Sequence, residues 1–176
     1  MWSGYDAICG VSEQGSRSFR TVFPELSNQV QTVENILPKE LIAKQAEQPQ
    51  TDIPSDGAIK ILSVGRFCDA KNFDNVPDIC RRLVKDGLNV KWYLIGYGGD
   101  EPLIRQKITE AGMQERVIIL GKKDNPYPYM RACDLYVQPS RYEGKAVTVR
   151  EAQLLGKPVV ITNYAPSASQ LEDGVD

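Results

Sequence analysis

The chain has 176 residues, of which 41% are hydrophobic and 25% are charged, and this size and composition suit one soluble globular domain with a substantial core. Its 21 Lys and Arg residues against 23 Asp and Glu residues give a net charge of −2, which argues against nucleic acid as a partner. The chain has no histidine and its four cysteines form no C-x-x-C pair, which excludes His-based catalysis and argues against a zinc or redox site.

The first part of the chain predicts short elements. These are a strand over residues 5–11, a helix over 12–23, a strand over 30–33 and a helix over 38–47 that has Pro38 at its first position. The polar stretch 48–56 (QPQTDIPSD) predicts a surface loop or linker. A strand with no partner before it and a turn signal at 172–176 favour a fragment of a larger protein, and the alternative is a complete small domain.

From residue 59 onward, strands and helices alternate. The predicted strands are 59–64, 90–95, 117–120, 135–138 and 158–161, and the predicted helices are 72–86, 101–111, 127–133, 147–155 and 167–171. The strands are nearly continuous apolar runs, which is typical of burial on both faces of a parallel sheet. This pattern predicts an α/β fold with a Rossmann-like, doubly wound parallel sheet.

Each predicted strand ends in a loop, and in an open parallel sheet these loops meet at the carboxyl edge. They include 65–71 (GRFCDAK), 121–125 (GKKDN) and 139–147 (PSRYEGKAV). We therefore expect one crevice to contain five charged side chains from distant parts of the chain: Arg66, Lys71, Lys122, Glu143 and Glu151.

The chemistry of these side chains indicates a ligand. The Arg66 guanidinium, the Lys71 ammonium and the start of the helix that follows Gly144 suit a diphosphate. Glu143 and Glu151 would repel phosphate, but they can accept hydrogen bonds from sugar and ribose hydroxyls. Together, these groups suit a nucleotide-sugar.

At this point the chain resembles a known family. The segments 61–73 (ILSVGRFCDAKNF), 92–101 (WYLIGYGGDE) and 116–162, which carries Glu143 and Glu151 with seven residues between them, are similar to the C-terminal, donor-binding domain of retaining GT-B glycosyltransferases of family 4, the glycosyl transferases group 1. The resemblance implies one half of a GT-B fold, truncated at both ends. Residues 1–13 would be a remnant of the N-terminal domain and hinge, and residues 14–176 the incomplete donor-binding domain.

The resemblance also implies roles for individual residues. Glu143 would contact the transferred sugar as the catalytic-site carboxylate, and Glu151 would contact the ribose. Gly121 and Lys122 would form the base pocket. The residues that would contact the donor diphosphate are Arg66, Lys71, Gly144, Val147 and Thr148.

The implied activity is transfer of a sugar, with retention of anomeric configuration, from a UDP- or GDP-sugar to a glycan or lipid-linked acceptor in surface polysaccharide biosynthesis. No metal or other cofactor is expected, because the two cations would neutralise the departing diphosphate. The implied location is the cytoplasm, with peripheral contact to the inner membrane face through the missing N-terminal domain. The fragment alone is expected to bind nucleotide weakly and to turn over nothing.

Two departures from the family pattern are Lys145-Ala146, where many members have a hydrophobic residue and proline, and residues 164–167, where many have Gly-Gly. The first would alter contacts at the donor sugar. Two alternatives stay open at this point: a nucleotide-sugar epimerase on the same scaffold, and a non-catalytic nucleotide-binding module.

Overall fold

A computed structural model describes residues 4–171 of the chain as two parallel sheets with helices packed against them. The strands are β1 (Ile8–Gly10), β2 (Val30–Thr32), β3 (Ile59–Val64), β4 (Val90–Ile95), β5 (Val117–Gly121), β6 (Leu135–Gln138) and β7 (Val159–Ile161). The α-helices are α1 (Glu13–Val22), α2 (Lys39–Ala46), α3 (Val76–Lys85), α4 (Glu101–Ala111), α5 (Tyr127–Ala132) and α6 (Val147–Leu154). Within the described part of the chain, no helix is long and apolar enough to cross a bilayer.

The larger sheet has five strands in the order β5-β4-β3-β6-β7, and every strand pair is parallel. The chain winds outward from β3 through β4 to β5, and then returns to the other side of β3 to form β6 and β7. The direction of winding therefore reverses between β3 and β6, which is where ligands bind in folds of this kind. The predicted doubly wound parallel sheet is confirmed.

Helices cover both faces of this sheet, and the side chains of successive strand residues point to opposite faces. Trp92 and Leu94 of β4 lie in one core cluster with residues of α3 and α4. Tyr93 and Ile95 lie in a second cluster, on the other face, with residues of α5 and α6. This double burial explains why the strands are apolar without the alternation of a half-exposed strand.

The smaller sheet pairs β1 with β2, and α1 connects the two strands. Ser12 caps α1, because its hydroxyl accepts a hydrogen bond from the Gly15 amide at 3.1 Å. Arg20, in the last turn of α1, donates to the Val30 carbonyl at 2.9 Å. Residues 8–32 therefore form one βαβ unit.

Several helix bounds differ from the sequence predictions. The helix predicted from residue 72 begins at Val76, after 3-10 turns at Asp69–Lys71 and Phe73–Asn75, because Asn72 between them is left-handed with φ of 58°. Pro38 occupies the N-cap position of α2, and the helix begins at Lys39. The helix predicted over 167–171 is a 3-10 turn at Ser167–Ser169, and the turn predicted at 172–176 lies outside the described residues.

The predicted loop over residues 48–56 has no regular secondary structure, but it packs against the larger sheet. Ile53 is buried, and Asp52 accepts hydrogen bonds from Lys123 and from the Tyr129 hydroxyl, each at 2.8 Å. The bond from Lys123 and then that from Tyr129 lower the pKa of Asp52. These contacts hold the loop against α5 and against the segment between β5 and α5.

Candidate functional site

Lys71 and Glu143 meet where the winding of the sheet reverses. Lys71 ends the loop after β3, Glu143 lies in the loop after the neighbouring β6, and the Lys71 ammonium donates to Glu143 Oε1. Both side chains are largely shielded, with exposed fractions of 20% and 11%. Gly65 leaves room for the lysine, because a Cβ at that position would lie 3.3 Å from Lys71 Cδ and Cε. The two residues that the sequence assigns to diphosphate and sugar therefore lie in direct contact.

A buried glutamine organises the polar groups around Glu143. Gln138, at the end of β6, has no exposed surface; its Nε2 donates to Ser140 Oγ at 2.9 Å and to Glu143 Oε1 at 3.4 Å. Ser140 Oγ also donates to Glu143 Oε1, at 2.7 Å. Gln138 Oε1 accepts from the Tyr136 hydroxyl at 2.8 Å and from Thr148 Oγ1 at 3.3 Å. The predicted residues Glu143 and Thr148 are thus joined through Gln138, for which the sequence pattern gave no signal.

A second set of contacts fixes the loop that carries Lys71. Arg141 donates to both carboxylate oxygens of Asp74, at 2.9 and 2.7 Å, and to the Asp69 carbonyl at 2.6 Å. The Arg141 guanidinium lowers the pKa of Asp74. Asn72 Nδ2 donates to the Pro139 carbonyl at 2.8 Å. The loops after β3 and β6 are therefore tied together, and only a search for long-range charge pairs could have suggested Arg141 and Asp74 from the sequence.

Glu151 lies on α6, three residues after Thr148. The Tyr127 hydroxyl donates to Glu151 Oε1 at 2.9 Å. Burial raises the pKa of Glu151, an effect that the Tyr127 hydrogen bond opposes, and burial together with Glu151 raises the pKa of Tyr127 to about 12. Burial also raises the pKa of Tyr136, with smaller contributions from Glu151 and Glu143, so both carboxylates act on the same buried hydroxyl.

The raised pKa of Glu151 predicts a pH-dependent stability cost. A carboxyl group whose pKa is higher in the folded state than in the unfolded state destabilises the fold progressively as pH rises through that interval. Glu151→Gln should therefore raise the melting temperature at pH 7 and have little effect near about pH 4, where the native carboxyl is mostly protonated. Thermal unfolding followed by circular dichroism at both pH values measures the difference.

The control for this prediction is Glu110→Gln. The Glu110 carboxylate is exposed on α4, and a hydrogen bond from Lys107 lowers its pKa, so its replacement should not raise the melting temperature at pH 7. If Glu151→Gln raises the melting temperature equally at pH 4 and at pH 7, packing and not ionisation is responsible.

Arg66 and Lys122 lie outside this connected set. Arg66 is exposed at the carboxyl end of β3, and its guanidinium makes no hydrogen bond or ion pair with the residues from 4 to 171. The Lys122 ammonium lies 5.8 Å from the centre of the Tyr97 ring and 3.6 Å from Asp124. Gly121 precedes it with φ of 71°, and its carbonyl accepts from the Gly96 amide at 3.0 Å. The structure thus connects Lys71, Glu143 and Thr148 by hydrogen bonds and places Glu151 on the same helix as Thr148, whereas Arg66 and Lys122 remain accessible to a ligand.

The loop that carries Arg66 rests on the turn after β4. The Phe67 amide donates to the Tyr97 carbonyl at 2.8 Å, and the Asp100 amide donates to the Phe67 carbonyl at 3.2 Å. A Cβ added to Gly96 would lie 1.8 Å from the Gly65 carbonyl oxygen. The glycines of this turn therefore allow two backbones to approach, and the turn fixes the backbone on both sides of Arg66.

The start of α6 is also held by side chains. Gln170 Oε1 accepts from the Ala146 amide at 3.0 Å, and Gln170 Nε2 donates to the Ala146 carbonyl at 2.8 Å. The Lys145 side chain is 4% exposed, and its ammonium donates to Glu34 at 2.7 Å. Gly144 is exposed, ahead of Val147 and Thr148 in the first turn of the helix. Lys145, which departs from the family pattern, therefore anchors this loop to the segment between β2 and α2.

Sequence comparison places residues 44–176 in the family described as Glycosyl transferases group 1. A lipopolysaccharide core biosynthesis glycosyltransferase, LpsE of Rhizobium meliloti, is 27% identical over 128 residues, which are 73% of this chain and 36% of that protein. A 4-alpha-N-acetylgalactosaminyltransferase of Campylobacter jejuni that is named for a diphospho-undecaprenol substrate is 32% identical over 111 residues, 63% of this chain and 30% of that protein. The chain spans about a third of the length of these relatives.

Solved structures show the same fold. Anabaena Alr3699/HepE in complex with UDP and glucose superposes with a TM-score of 0.83 and 21% identity, covering 97% of this chain and 48% of that one. Staphylococcus aureus TarM, solved with UDP and other ligands, superposes with a TM-score of 0.79 and 20% identity, covering 97% and 33%. The chain has the Rossmann-like architecture of the C-terminal half of a GT-B glycosyltransferase, and it belongs to the glycosyl transferases group 1 family.

Proposed function

We propose that the chain is the donor-binding half of a retaining, family 4 glycosyltransferase that transfers a sugar from a UDP- or GDP-sugar to a glycan or lipid-linked acceptor. The observation that carries the proposal is the contact between Lys71 and Glu143 at the point where the sheet reverses its winding. The names of the relatives support a role in surface polysaccharide biosynthesis, since they include a lipopolysaccharide core enzyme and an amylovoran biosynthesis enzyme.

The donor diphosphate would bind between the two cations and the start of α6. Lys71 supplies a shielded ammonium, and the exposed Arg66 guanidinium can turn toward phosphate oxygens. The amides at Gly144, Val147 and Thr148 supply hydrogen-bond donors at the positive end of the helix dipole. These groups would neutralise the departing diphosphate, so that no metal ion or other cofactor is required.

The carboxylates and the base pocket complete the donor site. The hydrogen bonds that the described residues donate to Glu143 all end on Oε1, and Oε2 can accept from hydroxyls of the transferred sugar. Glu151 would accept from the ribose hydroxyls and would then exchange or share its bond with Tyr127. Gly121 and Lys122 would contact the base, beside the exposed Tyr97 ring.

The rest of the enzyme would complete the activity. Residues 1–13 would belong to the hinge and the N-terminal domain, residues 14–176 to the donor-binding domain, and the N-terminal domain would bind the acceptor. The protein would act in the cytoplasm, with its N-terminal domain against the inner face of the membrane. The 176-residue chain alone would bind donor weakly and transfer no sugar.

A thermal-shift panel of UDP-, GDP- and ADP-sugars tests donor binding by the 176-residue chain. A ligand that binds only the folded state stabilises it by mass action, so one nucleotide class should raise the melting temperature more than the others, and should do so equally in EDTA. If none of the compounds at millimolar concentration shifts the transition, the proposed donor site is wrong. If EDTA removes the shift, the proposal of metal-free binding is wrong.

The reaction itself is tested with the full-length protein. Transfer with retention should give a product whose anomeric signal by NMR matches that of the donor sugar. Epimerisation of the donor without any acceptor would identify the epimerase instead, and a full-length protein that binds no nucleotide would favour a non-catalytic module.

A further inference from the structure

The residues assigned to opposite ends of the donor are bonded to each other. Lys71 is assigned to the diphosphate and Glu143 to the sugar, yet the Lys71 ammonium donates to the Glu143 carboxylate. With exposed side-chain fractions of 20% and 11%, neither group is well solvated. Because the two charges compensate each other, a ligand that draws Lys71 to its phosphates changes the environment of Glu143.

The other contacts of Glu143 do not replace the lost charge. Ser140 and Gln138 donate to the same carboxylate, but both are neutral donors. A shielded carboxylate that loses its cation has a substantial energetic cost, because its remaining partners compensate the charge only in part. This cost therefore weakens the binding of a nucleoside diphosphate that lacks the sugar.

The intact donor does not meet the same cost. Its sugar hydroxyls can donate to Glu143 Oε2, on which no hydrogen bond from residues 4–171 ends. Hydrogen bonds to a charged acceptor are stronger than those between neutral groups. The sugar thus compensates Glu143 at the moment when the diphosphate engages Lys71.

We propose that the Lys71–Glu143 ion pair is a selectivity element that makes recognition of the diphosphate conditional on the attached sugar. The pair weakens binding of the free nucleoside diphosphate, which is the product of transfer, relative to the intact nucleotide-sugar. Glu143 thereby reduces product inhibition as well as contacting the sugar. This inference rests on the donor site that we propose above.

Glu143→Gln tests the inference, because it removes the charge and retains a side chain of the same shape that can accept hydrogen bonds. Calorimetric titration of the chain is performed with UDP and UDP-glucose and with GDP and GDP-mannose. In the variant, the nucleoside diphosphate that the native chain binds should bind about three- to tenfold more tightly, and its sugar conjugate about tenfold more weakly, which corresponds to about 1.4 kcal/mol. The native preference for the intact donor should therefore fall by about thirty- to hundredfold.

Two further variants separate the ion pair from general charge effects. Asp69→Asn removes a negative charge two residues from Lys71 and leaves the pair intact, so UDP and GDP affinities should change by less than about twofold. In a Lys71→Ala background, Glu143→Gln should lose most of its effect on the nucleoside diphosphate. Circular dichroism checks that each variant is folded.

The outcomes distinguish the inference from the proposed function. If the native chain binds the nucleotide-sugar but Glu143→Gln leaves nucleoside diphosphate affinity unchanged or weaker, the selectivity role is wrong and the donor site stands. If Glu143→Gln increases nucleoside diphosphate affinity equally in the Lys71→Ala background, the effect is simple repulsion between Glu143 and phosphate. That result would also overturn the role of the pair. If the native chain binds none of the four probes, the donor site and this inference both fail.

Discussion

Lys71→Ala is expected to weaken binding of the nucleoside diphosphate by about ten- to hundredfold, or roughly 1.4–3 kcal/mol. The substitution removes the shielded cation of the proposed diphosphate site. An approaching phosphate therefore loses a charge-assisted hydrogen bond. Isothermal titration of the chain with UDP and GDP measures the effect.

Lys91→Ala is the matched control for this result. Lys91 forms a comparable partly exposed ion pair with Asp56, but it lies near the start of β4, at the opposite end of the sheet. Its loss should leave nucleotide affinity unchanged. Full retention of affinity in Lys71→Ala would exclude a phosphate role for this lysine.

Gly96→Ala is expected to lower the free energy of unfolding by about 2–4 kcal/mol. Gly96 has φ of 153°, and an added Cβ would lie 1.8 Å from the Gly65 carbonyl oxygen. That contact is with backbone, so the clash can be relieved only if the loops after β3 and β4 move apart. Urea denaturation followed by circular dichroism measures the loss.

Gly99→Ala provides the control within the same turn. A Cβ at Gly99 would meet no atom within 4 Å, and the substitution should change stability by less than about 0.5 kcal/mol. Because the Gly96 turn also fixes the backbone beside Arg66, the Gly96 variant should bind nucleotide more weakly than the Gly99 variant. Equal stability of the two variants would show that the close approach is not important for the fold.

Local signals predicted the larger sheet well. Helix α4 lies at Glu101–Ala111 as predicted, because Pro102 fits its first turn and the left-handed Gly112 ends it. The strands after residue 58 were predicted to within one residue at either end, since apolar runs bounded by turn residues are typical of buried parallel strands. The start of α3 was missed because Asn72 adopts a left-handed conformation that its bond to Pro139, 67 residues away, supports.

The sequence was also sufficient to group most of the candidate site. Parallel strands deliver their following loops to one edge of the sheet, so the loops that carry Lys71 and Glu143 had to lie at that edge once the strands were identified. It could not show which charges pair, because any of the cations at the edge could have met either carboxylate.

The amino-acid sequence by itself determined the strand–helix alternation, the family and the edge of the sheet at which the polar residues lie, because these depend on local composition and on the general topology of parallel sheets. Only the tertiary structure decided that Lys71 pairs with Glu143, that Gln138 joins Glu143 to Thr148, and that Lys145 turns to Glu34. Such contacts join residues far apart in sequence or depend on which way a side chain turns. They follow from the packed arrangement of loops and helices, which local sequence patterns do not specify.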